Sequence, residues 1–230
     1  MQGAFHNRVI SMTASLSLEV VPVTAFGQNC SILWNPDTHH AVVVDPGGDV
    51  PRIMAFIERH GLSVDAIWLT HGHLDHVGGA DALRRTLSRR QGVPVPVIGP
   101  EKGDAPLLAS IPEQAALFGL TGLENVQPDR FVKHGEVLDC LGHEFEVRHV
   151  PGHTPGHVIF YDPASRFALV GDTLFSGSVG RTDLPYGDHD QLIASIRREL
   201  LPLGDDVTIL PGHGPATTIG AERTGNSFLA

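Results

Sequence analysis

The 230-residue chain has two cysteines, Cys30 and Cys140, and no CxxC pair, which excludes a thiolate zinc knuckle and a disulfide framework. Both thiols are expected as small buried hydrophobes in a reducing compartment. Basic residues are also scarce: 16 Lys and Arg stand against 26 Asp and Glu, a formal net charge of −10. Nucleic-acid binders usually carry a basic surface, so this balance argues against a nucleic-acid partner. No segment approaches the ~20 apolar residues of a membrane span, so no membrane partner is expected. Residues 1–20 lack the continuous apolar core of a secretory signal, being broken by Ser, Thr and Glu19, and a cytoplasmic location is expected. Residues 1–15 read as a loose extension. With no internal repeat and no Ser- or Pro-rich linker, residues 16–230 are expected to form one domain.

What is present is an ordinary globular composition, 41% hydrophobic and 18% charged, with 14 histidines as its outlier. Alternating or β-branched runs predict strands at 18–23, 31–34, 41–45, 65–70, 95–98, 136–138, 144–150, 157–161, 168–170 and 207–210. Helical spacing of apolar residues predicts helices over 51–60, 81–90 and 188–200, the last capped by Asp188. Residues 103–128 mix apolar clusters with Pro and Gly and read as a helical or loop insertion beside the site. The chain after 213 reads as a short polar tail. Strands and helices in two similar halves predict two sheets packed face to face with helices outside.

The chemistry concentrates in His71-Gly72-His73-Leu74-Asp75-His76, which follows a predicted strand. His71 and His73 are two apart, so an extended backbone points both the same way, and a turn after them can return Asp75 and His76 to the same cavity. Three further candidates each follow a predicted strand beside glycine: His153 in PGHTPGH, Asp172 in LVGDTLF and His213 in LPGHGP. Imidazole and carboxylate donors together suit zinc, iron or manganese. Seven ligands exceed the three protein ligands of a single catalytic ion. They fit two divalent ions: one held by His71, His73 and His153, the other by Asp75, His76 and His213, with Asp172 bridging. Two ions ~3.5–4 Å apart are a hydrolytic device in which a bound water, its pKa lowered towards ~7, becomes the nucleophile. Asp75 serves here both as ligand and as a catalytic proton acceptor. The remaining histidines outside these loops read as ordinary surface or core residues.

The HxHxDH segment and the later His, Asp and His resemble the metallo-β-lactamase superfamily, over residues 18–215. The resemblance implies the αβ/βα sandwich, a four-layer α/β fold of two mixed sheets, with the site at one edge. Its match to VVVDPGG (42–48) implies that Asp45 lies behind the metal ligands. Within the superfamily, residues 171–200 and the ending LPGHGPATTIGAER are similar to short glyoxalase II-like hydrolases. That likeness implies a metal-dependent thioester hydrolase, with zinc as the expected metal and S-D-lactoylglutathione or a related hydroxyacylglutathione as substrate. Two-domain members add a C-terminal helical domain that helps bind glutathione, whereas here only 17 residues follow His213. A glutathione conjugate would therefore be held by the main domain, with Arg181 and residues 100–128 as the expected contacts. GRTD at 180–183 is also found in mononuclear-iron persulfide dioxygenases, the main alternative; a hydrolase of another ester or lactone is the second.

Overall fold

The computed structural model describes residues 15–230, so the expected extension at 1–15 lies almost wholly outside the described residues. The first sheet holds β1 (Ser17–Val23), β2 (Gln28–Trp34), β3 (His40–Val44), β4 (Ser63–Trp68), β5 (Val97–Glu101) and β6 (Arg130–Val132), hydrogen-bonded in that order. β1 to β3 are antiparallel, and β3 to β6 run parallel. The second sheet begins with β7 (Val137–Cys140), β8 (His143–His149), β9 (Val158–Asp162) and β10 (Phe167–Gly171), all antiparallel. After a small hairpin of β11 (Leu174–Phe175) and β12 (Ser178–Val179), β13 (Thr208–Pro211) adds parallel to β10 and β14 (Thr217–Thr218) closes the edge.

Helices cover the outer faces: α1 (Val50–Arg59), α2 (Leu74–Val77), α3 (Ala80–Gln91), α4 (Ala105–Leu108), α5 (Ile111–Leu117), α6 (His189–Glu199) and α7 (Ile219–Gly225). The AVVV run shows why the sheets are hydrophobic on both sides. Val42 and Val44 point between the sheets, against Trp68, Phe145 and Phe160, whereas Val43 points outwards against Ile53 and Ile57 of α1 and Leu83 and Leu87 of α3. Trp68 makes an edge contact with Phe145 at 5.1 Å and a tilted one with Phe160 at 4.9 Å, which pins one sheet on the other. On the far side Ile159, Val170 and Ile209 pack on Leu192 and Ile196 of α6. The Asp188 side chain accepts the Gln191 N–H at 2.9 Å, the expected N-cap. The four-layer arrangement expected from the resemblance is the one observed.

Several boundaries differ from expectation. β4 ends at Trp68, two residues early, although the Leu69 N–H still donates to the Ile98 carbonyl at 2.9 Å; the strand expected at 95–98 is displaced to Val97–Glu101. β6 was not expected, its three residues being too few to alternate. The insertion at 103–128 forms a 3-10 turn, α4 and α5. The supposed polar tail is instead β14 and α7, with Thr218 capping the helix by accepting the Ala221 N–H at 3.2 Å. Only Ile219 and Glu222 of α7 are buried, so no apolar stripe announces it. Among the described residues no helix is long and apolar enough to cross a membrane.

Candidate metal centre

Two parallel strand pairs assemble the centre. β3 and β4 pair with Val44 opposite Trp68, so their C-terminal ends carry Asp45 and the 71–76 loop to one edge. β10 and β13 pair with Gly171 opposite Pro211, which sets Asp172 and His213 side by side. The Val158 N–H donates to the Thr70 carbonyl at 2.8 Å, and the Asn29 N–H to the Gly212 carbonyl at 2.8 Å, joining the two edges. His73 is extended, and the single turn of α2 after it returns Asp75 and His76 to the cavity, as expected. Two glycines are needed for this closeness. A Cβ on Gly47 would stand 1.4 Å from the Asp75 carbonyl oxygen, and one on Gly212 would stand 2.3 Å from Asp172 Oδ1 and 2.5 Å from His76 Cε1.

All seven sequence-derived candidate ligands meet there. His71, His73 and His153 form one donor group, and Asp75, His76 and His213 another. Asp172 lies between them, its carboxylate 3.3 Å from His76 Nε2, 3.7 Å from His153 Nε2 and 3.6 Å from His213 Nε2. Asp75 Oδ2 is 3.2 Å from His213 Nε2. A third grouping of Asp45 with His71 and His76 is geometrically feasible. It is the weaker one, because Asp45 already accepts the Thr70 N–H at 2.8 Å, the Thr70 hydroxyl at 2.6 Å and His76 Nδ1 at 2.9 Å.

Those bonds decide which ring atoms are free. The Thr70 hydroxyl donates to Asp45, so its lone pair accepts from His71 Nδ1 at 3.0 Å. His76 Nδ1 donates to Asp45, and His153 Nδ1 donates to the Arg181 carbonyl at 2.7 Å. Each of the three rings thus turns Nε2 inwards, and His73 brings Nδ1 to 2.9 Å from His153 Nε2. His71 Nε2, His76 Nε2 and Asp172 Oδ1 are buried with no hydrogen-bond partner. Buried polar atoms are nearly always paired, so three neighbouring orphans around one cavity are what cation ligands look like. The residues fit divalent metal ions.

The electrostatics divide the rings into two sets, one held neutral by burial and one that holds a proton beside the carboxylates. Burial, then neighbouring His76, holds His71 well below the usual histidine range. Burial, then His153, lowers His73 to about 3, and burial also lowers His153. These rings stay neutral, the form that binds metal. Burial opposes ionisation of Asp75 and Asp172, but His76 with His213 outweighs it for Asp75, and His76, His153 and His213 do so for Asp172; both stay ionised. Burial lowers His76, yet Asp172 and Asp75 outweigh it and raise its pKa well above the usual value. For His213, the Asp75 hydrogen bond and Asp172 likewise outweigh burial.

Asp104 is a supporting residue that the sequence reading missed. Fully buried, it accepts the Gly72 N–H at 2.8 Å, the Thr154 hydroxyl at 2.8 Å and the Gly156 N–H at 2.5 Å. It therefore clamps the first histidine loop to the His153 loop. It closes the 3-10 turn Lys102–Asp104 rather than following a strand directly, so it lacks the local mark that the other candidates carry. Gln114 braces the same loop, accepting the Leu74 N–H at 3.0 Å and donating to the Gly72 carbonyl at 3.2 Å. His157 stacks on His71 at 4.7 Å and accepts the Asp172 N–H at 3.0 Å. Arg181 is placed otherwise than a free anion receptor: its guanidinium donates to both carboxylate oxygens of Asp183, at 2.7 and 2.8 Å. The centre opens into a cleft of about 690 Å³, within the range of small-molecule sites.

The chain belongs to the metallo-beta-lactamase superfamily, whose family model matches residues 23–213. Within it, the chain is similar to the hydroxyacylglutathione hydrolase GloC of Haemophilus influenzae, with 47% identity over 215 residues that span 93% of this chain and 98% of that one. Two solved structures are also similar. TTHA1623 in a di-iron-bound form is 37% identical with a TM-score of 0.81, covering 92% of this chain and all (100%) of the other. The B3 metallo-beta-lactamase BLEG-1 is 36% identical with a TM-score of 0.83, covering 93% and 99%.

Proposed function

We propose that the chain is a metal-dependent hydrolase of thioesters, of the glyoxalase II type, with S-D-lactoylglutathione or a related hydroxyacylglutathione as substrate. The observation that carries this reading is the pair of donor triads, His71/His73/His153 and Asp75/His76/His213, joined by Asp172 at the floor of a ligand-sized cleft. The similarity to a hydroxyacylglutathione hydrolase over nearly the whole length of both chains supports it. These seven residues would hold two divalent ions, zinc first among the candidates. Bound there, the ions supply Lewis acidity towards a carbonyl oxygen and a water acidic enough to ionise at neutral pH.

The chain's own groups do the rest. Asp75 lines the cleft with its carboxylate ionised, placed to accept a proton from an attacking water. Asp45 and Thr70 fix the ring orientations of His71 and His76, and the Arg181 carbonyl fixes that of His153. The departing thiol has a pKa of about 8.5, so no strong general acid is required. The test is a substrate panel on metal-quantified enzyme, with S-D-lactoylglutathione first. Two metals per chain with release of one thiol per acid is the expected result. Two bound metals with no thioester cleaved would sink the reading, and one iron with persulfide-dependent oxygen uptake would replace it with the dioxygenase.

A further inference from the structure

The cleft beside the metal centre has an apolar wall and, among the described residues and apart from the candidate ligand histidines, no unpaired cation. Phe26, from the β1–β2 turn, meets Phe118, at the end of α5, edge to face at 5.1 Å. Leu107 and Leu117 extend that wall, and Tyr186 stands in the facing loop. Leu117 is 78% exposed and Tyr186 61%, and Phe26 and Phe118 are also exposed. Large apolar side chains gathered this way around a functional cleft mark a surface that a ligand covers. The wall is continuous with the chemistry, since His73, Asp75, Asp172 and His213 line the same cleft.

The charged groups point the same way. Apart from the candidate ligand histidines, the cation lining the cleft is Arg181, whose charge is already matched by Asp183 through two hydrogen bonds. Glu113 adds a carboxylate. Carboxylates of a peptide thiol would find no free partner on this wall, whereas a hydrocarbon chain would find four apolar side chains. We infer that Phe26, Leu107, Leu117 and Phe118 form a subsite for an apolar substituent of the substrate, so that thioesters carrying a hydrocarbon chain belong to its range. This inference rests on the thioester hydrolase reading above and concerns the part of the substrate remote from the scissile bond.

The test separates the two. Metal-quantified protein is titrated calorimetrically with neutral, non-hydrolysable S-methyl, S-butyl and S-hexyl thioethers of N-acetylcysteamine, and S-D-lactoylglutathione hydrolysis is assayed separately. Full burial of a methylene corresponds to about a 4-fold change in affinity, so a half-covered chain should tighten Kd about 2-fold per methylene, or about 30-fold from methyl to hexyl. Phe118→Ala and Phe26→Ser, both at exposed positions that leave the fold intact, should flatten the series to within about 5-fold. A flat series in the parent protein, or a slope that both variants leave unchanged, overturns the subsite whether or not lactoylglutathione is cleaved. A clear slope lost in the variants upholds the subsite, and failure of the metal-loaded protein to cleave any thioester of the panel then refutes the hydrolase reading alone.

Discussion

Replacing Asp104 by alanine should release metal without touching a ligand. The carboxylate accepts from Gly72, Thr154 and Gly156, three donors on two different loops. The Thr154 hydroxyl can turn to another acceptor, but the two backbone N–H groups cannot. Each buried donor left unpaired costs about 1–3 kcal/mol, so the clamp is worth about 2–6 kcal/mol. That loss falls on the spacing between His71, His73 and His153 more than on the core, since Asp104 packs on loops. Outer partners of metal ligands typically alter affinity by about 10–100-fold. Chelator competition on Asp104→Ala should show a loss in that range, and Asp104→Asn, which keeps one acceptor oxygen, should fall between. The carboxyl also titrates: burial pushes Asp104 up to about 6 from its ordinary value near 4, against the pull of its three donors. A raised acid binds protons in the folded state before the unfolded chain does, so its contribution to stability declines as pH rises from about 4 to about 6 and is level above that. Urea unfolding of parent and Asp104→Asn protein should show their difference shift against the parent by about 3 kcal/mol across that window. Unchanged metal affinity in Asp104→Ala would refute the clamp.

Asp172→Ala should lose metal content and turnover together, read by metal analysis and thioester assay; full activity in the metal-replete variant would remove Asp172 from the centre. Gly212→Ala drives a methyl group against Asp172 Oδ1 and His76 Cε1, so metal content should fall while far-ultraviolet circular dichroism stays that of the parent. Chelated protein should become acid-sensitive. His73, lowered to about 3 by burial and His153, stays neutral when the unfolded chain takes up protons below pH 6.5. A depressed histidine therefore loses stability as pH falls, by about 1.3 kcal/mol for His73 between pH 7 and 5.5. His71, His153 and His157 act in the same direction and His76 and His213 in the opposite one. Urea midpoints for chelated protein that stay level across this range would contradict the neutral-ring assignment.

Much of this centre is visible in the chain because metal chemistry leaves short-range marks. His71 and His73 are two apart on extended backbone, and His153, Asp172 and His213 each follow a strand beside glycine, so four segments share one local grammar. The core strands are visible for a similar reason: Val42 to Val44 are all apolar because both sheet faces are covered. The parts that stayed hidden depend on partners far along the chain. Asp104 gains its role only when Thr154 and Gly156 are folded against it, and no local pattern announces that. β6 and α7 are short and lack a periodic apolar face, so packing rather than propensity defines them. Arg181, the expected substrate contact, lines the cleft with its side chain paired to Asp183 two residues on, and its carbonyl accepts from His153.

The division of labour within the fold follows from these differences. Parallel pairing places the C-terminal ends of β3 and β4, and of β10 and β13, at one edge, so the ligand geometry is inherited from hydrogen-bonded strands that cannot slip without burying polar groups. The apolar wall is instead built from the β1–β2 turn and the insertion at 103–128, whose Phe26, Leu107, Leu117 and Phe118 lie outside the core clusters. Loops of this kind tolerate substitution that strands do not. Changing Leu117 and Phe118 should therefore alter which thioesters are bound while leaving metal content untouched, whereas changing Gly212 or Asp172 should do the reverse. A variant of the wall that lost metal, with Asp104 and its three bonds intact, would show that the two layers are mechanically coupled and that specificity cannot vary independently of the centre.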